Sequence, residues 1–185
     1  YAWWKTDGAV TKGEEPTVDF TFKHILSKVA FKFVNNMPYS TIKVTNLVVK
    51  SVAPQGTLNM MATAPAWSVS GTGFDMNYAE DISALQGIAP NGGNATSAFN
   101  IFIPAPFTYN IQFTVEVSQN GVKIATYNHN VNVSDLTLQM GRAYVLTAEL
   151  DKTNIDPNGA LQPIKFNPTV DDWADANGNV NVPGK

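Results

Sequence analysis

Residues 107–133 read FTYNIQFTVEVSQNGVKIATYNHNVNV. Phe107, Tyr109, Ile111, Phe113, Val115 and Val117 fall on one side of an extended chain, and Thr108, Asn110, Gln112, Thr114 and Glu116 fall on the other. Successive side chains of a strand point to opposite faces, so this alternation predicts a strand with one face buried. Asn120-Gly121 follows, and both residues tolerate the positive φ of a two-residue hairpin turn. The returning strand carries Val122 and Ile124 in one phase, then Tyr127, His129, Val131 and Val133 in the other. A phase switch inside a strand needs an inserted residue, which places a β-bulge near Ala125–Thr126.

The same period recurs on both sides of this hairpin. Val18, Phe20, Phe22 and His24 alternate with Asp19, Thr21 and Lys23, and Val29, Phe31 and Phe33 alternate with Lys28, Lys32 and Val34. The intervening HILS lacks Gly and Pro, which leaves one long kinked strand or two strands crossing between sheets. TIKVTNLVVKSV (41–52) is a further strand, and Tyr144, Leu146, Ala148 and Leu150 mark another after Gly141. Phe99, Ile101 and Ile103 mark a strand ending at Pro104. Residues 53–98 are rich in Gly and Pro. Short strands are expected around 56–59 and 66–70, one helical turn at SALQG (83–87), and a flexible loop at PNGGNATS (90–97). No helical period of ten or more residues occurs. The pattern predicts an all-β sandwich of seven or more strands with Greek-key connections.

Composition agrees. The 185 residues include 18 Val, 17 Thr and 10 Ile against 9 Leu, with 19 Asn, 13 Gly and 11 Pro. β-branched residues pack well on pleated sheets, and Asn, Gly and Pro form turns. A net charge of −3 with a single arginine, Arg142, argues against a phosphate-binding surface for nucleic acid. The absence of Cys removes disulfides and thiol chemistry. No apolar run reaches the roughly 18 residues that span a bilayer as a helix. The chain begins at Tyr1 without Met or a signal peptide, so a processed protein or a fragment is expected. Residues 1–16 lack a sustained period and read as a linker; residues 17–185 read as the sandwich domain.

Candidate sites are few. DKTNIDPNG (151–159) and DDWADANGN (171–179) hold oxygen ligands at calcium-like spacing, but Asx turns account for them without an ion. His24 and His129 occupy apolar phases, as hydrogen-bonded core or edge histidines do. No nucleophile elbow, zinc helix motif or phosphate loop is present, so catalytic residues, metal ligands and cofactors are not assigned. NAT (94–96) and NVS (132–134) fit the glycosylation triplet, which an Asn-rich chain produces by chance. Trp67 and Trp173 sit among apolar strand residues, as core aromatics do, and Trp3 and Trp4 suit contact with a neighbouring domain. Exposed coplanar aromatics flanked by Asn, Asp or Gln would instead form a sugar-binding platform. The C-terminal segment 161–182 carries Ile164, Phe166, Val170, Trp173, Val180 and Val182 between prolines. Such a strand either completes its own sandwich or is offered to another molecule, with backbone hydrogen bonds for affinity and alternate side chains for register.

Three strings resemble the fimbrillin family. FTFKHILSKVAFKF (20–33) resembles its FKHxLSK signature, TLQMGRAYVLTAEL (137–150) its glycine-led strand with Gly141 and Tyr144, and PIKFNPTVDDWADANGNVNVP (163–183) its closing segment with Trp173. The resemblance implies a transthyretin-like sandwich, a lipoprotein precursor exported to the outer membrane, and a non-enzymatic fimbrial (pilus) subunit in cell adhesion. It also implies partners that are other fimbrial subunits joined by strand exchange, with host or bacterial surface proteins or glycans as further contacts. On that comparison the chain matches the C-terminal domain, with 1–16 as the remnant of an N-terminal one. The donor role then falls on 161–182. A surface carbohydrate-binding sandwich is the alternative.

Overall fold

A computed structural model describes residues 3–4, 17–78, 85–105, 108–134, 136–174 and 176–181. Its strands are β1 (Trp3–Trp4), β2 (Thr17–Phe22), β3 (Ser27–Asn35), β4 (Thr41–Val52), β5 (Gln55–Leu58), β6 (Trp67–Ser70) and β7 (Phe74–Asn77). They continue with β8 (Gly93–Thr96), β9 (Asn100–Phe102), β10 (Tyr109–Gln119), β11 (Val122–Val133), β12 (Arg142–Leu150), β13 (Phe166–Asp172) and β14 (Ala176–Asn181).

Two sheets form the sandwich. One has four strands in the order β11-β10-β4-β7; the other orders β13-β12-β3-β8, with β9 also pairing β3. β3 and β12 run parallel, and the other pairs of both sheets are antiparallel. The inward row of β10 packs against the inward row of β3. Phe113 meets Phe33 with ring centroids 5.1 Å apart, and Phe166 of β13 sets its edge against Phe31 at 5.5 Å and Phe113 at 6.0 Å. Fully buried Phe31, Phe33, Ile42, Val44, Leu47, Ile111 and Leu146 join one continuous core. Tyr78 enters it from beyond β7, and its hydroxyl donates to the Val29 carbonyl at 2.9 Å, as a buried phenol requires.

β4 keeps one face inside by breaking its alternation twice. Asn46 and Ser51 adopt φ of 50° and 58°, and each insertion shifts the register with a neighbouring strand. Ile42 and Val44, then Leu47 and Val49, then Val52 therefore all reach the core. At the second bulge Gly73 approaches closely: a Cβ there would lie 2.8 Å from the Ser51 backbone.

Of the two readings open for the stretch 18–34, the structure takes the second, two strands in different sheets: β2 belongs to a separate three-stranded sheet, β1-β2-β14. Other sequence expectations are revised. The bulge of the main hairpin lies between Val117 and Ser118, opposite Ala125 and Lys123, so Ile124 is the extra residue. PNGGNATS is not a loop throughout. Asn91 and Gly92 take positive φ, as a tight turn needs, and β8 then pairs with β3. The phase of β9 is reversed: Phe102 is buried, while Ile101 is exposed. Ile101 stands opposite Lys28, on the outer face, and Phe102 stands opposite buried Ser27. Ser83 and Ala84 of the expected helical turn, and Phe107 of the opening alternation, lie outside the described residues.

Candidate functional site: a junction of three segments

The chain crosses between the sandwich and the three-stranded sheet twice, from β2 to β3 and from β13 to β14. Both crossings occur at one place. The Gly141 amide donates to the Leu26 carbonyl at 3.0 Å, and the Trp173 amide donates to the Gly141 carbonyl at 2.8 Å. Backbone from the segments around residues 26, 141 and 173 is thereby stitched together. Gly141 is required twice over. Its φ is +69°, and a Cβ would come within 3.3 Å of the His24 carbonyl oxygen.

Side chains reinforce the stitch. The His24 ring stacks on Trp173, with centroids 3.8 Å apart and planes 10° from parallel. Nε2 of His24 lies 3.2 Å from the Ala174 carbonyl, so that nitrogen carries the proton. The Lys28 ammonium sits 5.1 Å from the Trp173 ring centroid and 4.8 Å from that of Phe99, within cation–π range. Ser27 Oγ donates to the Gln139 carbonyl at 2.6 Å, and Trp67 Nε1 donates to the Ile25 carbonyl at 2.8 Å. Tyr144 steadies the turn before Gly141: its hydroxyl accepts from the Gln139 amide at 2.8 Å and donates to the Thr137 carbonyl at 3.3 Å. Burial raises the Tyr144 phenol above its usual range, which keeps it protonated for this donation. Arg142 pairs with Asp172 across β12 and β13.

The six C-terminal residues are distributed rather than gathered. Ile164 and Phe166 are buried in the chain's own core, and Val170 of β13 is 46% exposed. Trp173 is half-buried at the junction. Val180 stands in β14 opposite Val18, and Val182 lies outside the described residues. Trp3 and Trp4 form β1, in register with Thr21 and Phe20. Trp67 and Trp173 are not core aromatics as expected but half-buried anchors at the junction. His24, Lys28 and Gly141 gain their importance only from this meeting. All lie inside the FKHILSK and MGRAY strings, so the signal was present in the sequence without the geometry.

The remaining candidates resolve locally. In the 151–159 connection, Asp151 Oδ1 accepts from the Thr153 amide and hydroxyl at 2.6 Å each, and Asp156 Oδ1 accepts from the Asn158 amide at 2.9 Å, which are Asx turns. His129 is buried and stacks on Phe113 at 5.0 Å. Burial holds its pKa below the ordinary value, against an opposing hydrogen bond to the Ile155 backbone. The elements of a sugar platform are separated. Phe99 and Trp173 gather around Lys28 on the five-stranded sheet, and one face of Trp173 is covered by His24. The amide array of Asn110, Gln112, Asn130 and Asn132, with Thr114 donating to Asn128, lies on the four-stranded sheet.

Fold and junction together define an all-β sandwich with a small three-stranded sheet tied on at one double crossing. A family model described as fimbrillin-like matches residues 1–173, and the chain belongs to that family. Among solved structures, a fimbrial protein from Bacteroides vulgatus is similar in fold, with a TM-score of 0.57 at 11% identity over 84% of this chain and 56% of its own. Proteins assigned to cell adhesion from Bacteroides uniformis and Bacteroides ovatus align over the same 84%, with TM-scores of 0.43 and 0.42, identities of 14% and 21%, and coverage of 53% and 48% of their chains. The chain thus spans about half the length of these structures. No curated protein matches the chain.

Proposed function

We propose that this chain is a structural, non-enzymatic subunit of a cell-surface fimbria that takes part in adhesion and assembles by β-strand complementation through its C-terminal segment, 161–182. Family membership supports the fimbrial role. The placement of the C-terminal segment supports the mode of assembly. Ile164 and Phe166 hold its first part to the core, while β14, beyond Trp173, pairs along β2 away from the two main sheets. A strand held at one end by buried side chains and at the other by backbone pairing is suited to exchange, because pairing with another subunit replaces the bonds lost to β2. Val180 and Val182 are then the side chains offered to the neighbour. Residues 1–16 lead in from a preceding domain, with Trp3 and Trp4 at that contact. The partners are other fimbrial subunits, and the location is the outer-membrane surface of the cell, reached as a lipoprotein.

The test is truncation after Ala174, which removes β14 but leaves Ile164, Phe166 and Trp173 in place. The truncated subunit keeps the circular dichroism spectrum and the sedimentation of the intact subunit but fails to join filaments in negative-stain micrographs. Filaments of ordinary length from the truncated subunit would overturn the reading.

A further inference from the structure

We propose that the free edge of β11 is a docking surface for a second copy of this chain, the two strands pairing antiparallel about a two-fold axis at Asn128. This surface lies apart from the C-terminal segment, so its test is independent of the proposed function.

β11 pairs with β10 on one side, and among the described strands nothing pairs with the other. It runs for 12 residues, contains no proline and carries one charged side chain, Lys123. The other edges of the sandwich are defended. β13 carries Pro168, Asp171 and Asp172, while β7 and β8 are four residues long, and Asp75 of β7 pairs with Lys50. Proline, charge, shortness and bulges are the usual protections of an edge strand, and β11 has only Lys123 and the bulge at Ile124, both close to its hairpin end, which leaves 125–133 undefended.

The inward row of β11 is also unfinished. Tyr127, Val131 and Val133 are only partly buried, whereas their neighbours Val115, Ile111 and Tyr109 on β10 are buried. Nε2 of His129 is buried with no hydrogen-bond partner among the described residues. A further strand at this edge covers the first and supplies the second.

The chemistry favours a second copy over an unrelated peptide. An edge with one charge gives no preference to an acidic or a basic segment, while a two-fold pairing needs only self-complementarity. Residues directly opposite in an antiparallel pair share a face, so inward residues must oppose inward ones. With Asn128 opposite itself, Tyr127 of one copy faces His129 of the other, which sets a phenol donor beside the unpartnered imidazole nitrogen. Ala125 faces Val131, where the paired stretch reaches the bulge at Ile124, and Lys123, the strand's one charge, lies beyond that bulge, so no like charges meet. The outward amides Asn128 and Asn130 extend the array already shared with Asn110 and Thr114.

Because the chain has no Cys, a single introduced thiol reports the register. Directly opposed Cα atoms in an antiparallel pair lie about 4.5–5.5 Å apart, inside the range a disulfide accepts. Asn128→Cys is expected to oxidise to a covalent dimer at least about tenfold faster than Asn132→Cys, whose two copies would lie several residues apart along the strands. Both positions are exposed, and far-UV spectra check that each variant is folded. In sedimentation, Asn128→Lys and Asn128→Glu each weaken the dimer at least about tenfold through like charges at the axis, and their equimolar mixture restores it. Equal crosslinking rates for the two Cys variants, or a mixture no more dimeric than its components, would overturn the proposal.

Discussion

The imidazole of His24 lies flat on the indole of Trp173, 3.8 Å away between centroids, although 148 positions of sequence separate them. One residue stands where the chain enters β3 and the other where it leaves β13, so the stack closes the double crossing. Replacing either ring with alanine removes the same contact. The double-mutant cycle of His24→Ala and Trp173→Ala is therefore expected to show a coupling of about 0.5–1.5 kcal/mol, the range for an aromatic pair beyond simple burial. Urea unfolding of the four proteins measures it. Strict additivity would mean that the rings are neighbours without energetic consequence.

Gly141 is held in a conformation that side chains resist, and its position leaves little room for one. Gly141→Ala is expected to cost about 1–2 kcal/mol from the left-handed backbone alone, with more as the His24 carbonyl 3.3 Å from the new Cβ gives way. Gly141→Asn meets the same carbonyl but tolerates the positive φ better, so it falls between the two. Denaturation midpoints in urea give the order. An alanine variant as stable as wild type contradicts the backbone argument.

Legibility in the sequence depended on whether the deciding interaction was local. β10 was readable because every inward residue, from Tyr109 to Val117, obeys one period. β4 hid its bulges, although the spacing of Ile42, Val44, Leu47, Val49 and Val52 already steps by two and by three in turn, as two inserted residues require. β9 was misread because its phase is imposed by its neighbour: the register with Ser27 and Lys28 overrides the local attraction of Ile101 to the core. Asn91-Gly92 makes the same kind of turn as Asn120-Gly121, but no long alternation flanks it. Gly93 looked like flexibility and is in fact close approach, since a Cβ there would fall 2.3 Å from the Ala89 carbonyl oxygen. The junction was legible only as three separate strings. What joins them is long-range backbone pairing through Gly141, which no local period encodes.

The C-terminal segment should divide sharply when its side chains are cut back one at a time. Phe166 is 7% exposed and touches the rings of Phe31, Phe33 and Phe113, whereas Val170 is 46% exposed. Phe166→Ala is expected to cost about 3–5 kcal/mol, as large-to-small changes in aromatic cores do. Val170→Ala is expected to cost less than about 1 kcal/mol, because much of its surface already faces water. Thermal and urea unfolding separate the two. Comparable losses would mean that Val170 is covered in solution by something other than its own chain.

His129 ties stability to acidity. Burial depresses its folded-state pKa below the ordinary value of 6.5, despite the opposing Ile155 backbone hydrogen bond and the Asp156 charge. The unfolded chain, whose imidazole titrates at about 6.5, therefore binds the proton first as pH falls. The contribution of His129 is fully present above that value and is lost progressively as pH drops towards the depressed folded-state pKa. His129→Phe keeps an aromatic ring against Phe113 and removes the titration, though it gives up the bond to Ile155. Relative to this variant, the wild-type protein is expected to lose stability between neutral pH and about pH 5, measured as unfolding midpoints across the range. Two midpoint curves that stay parallel would show that His129 titrates alike in the folded and unfolded chains, and that its burial in the core is not maintained in solution.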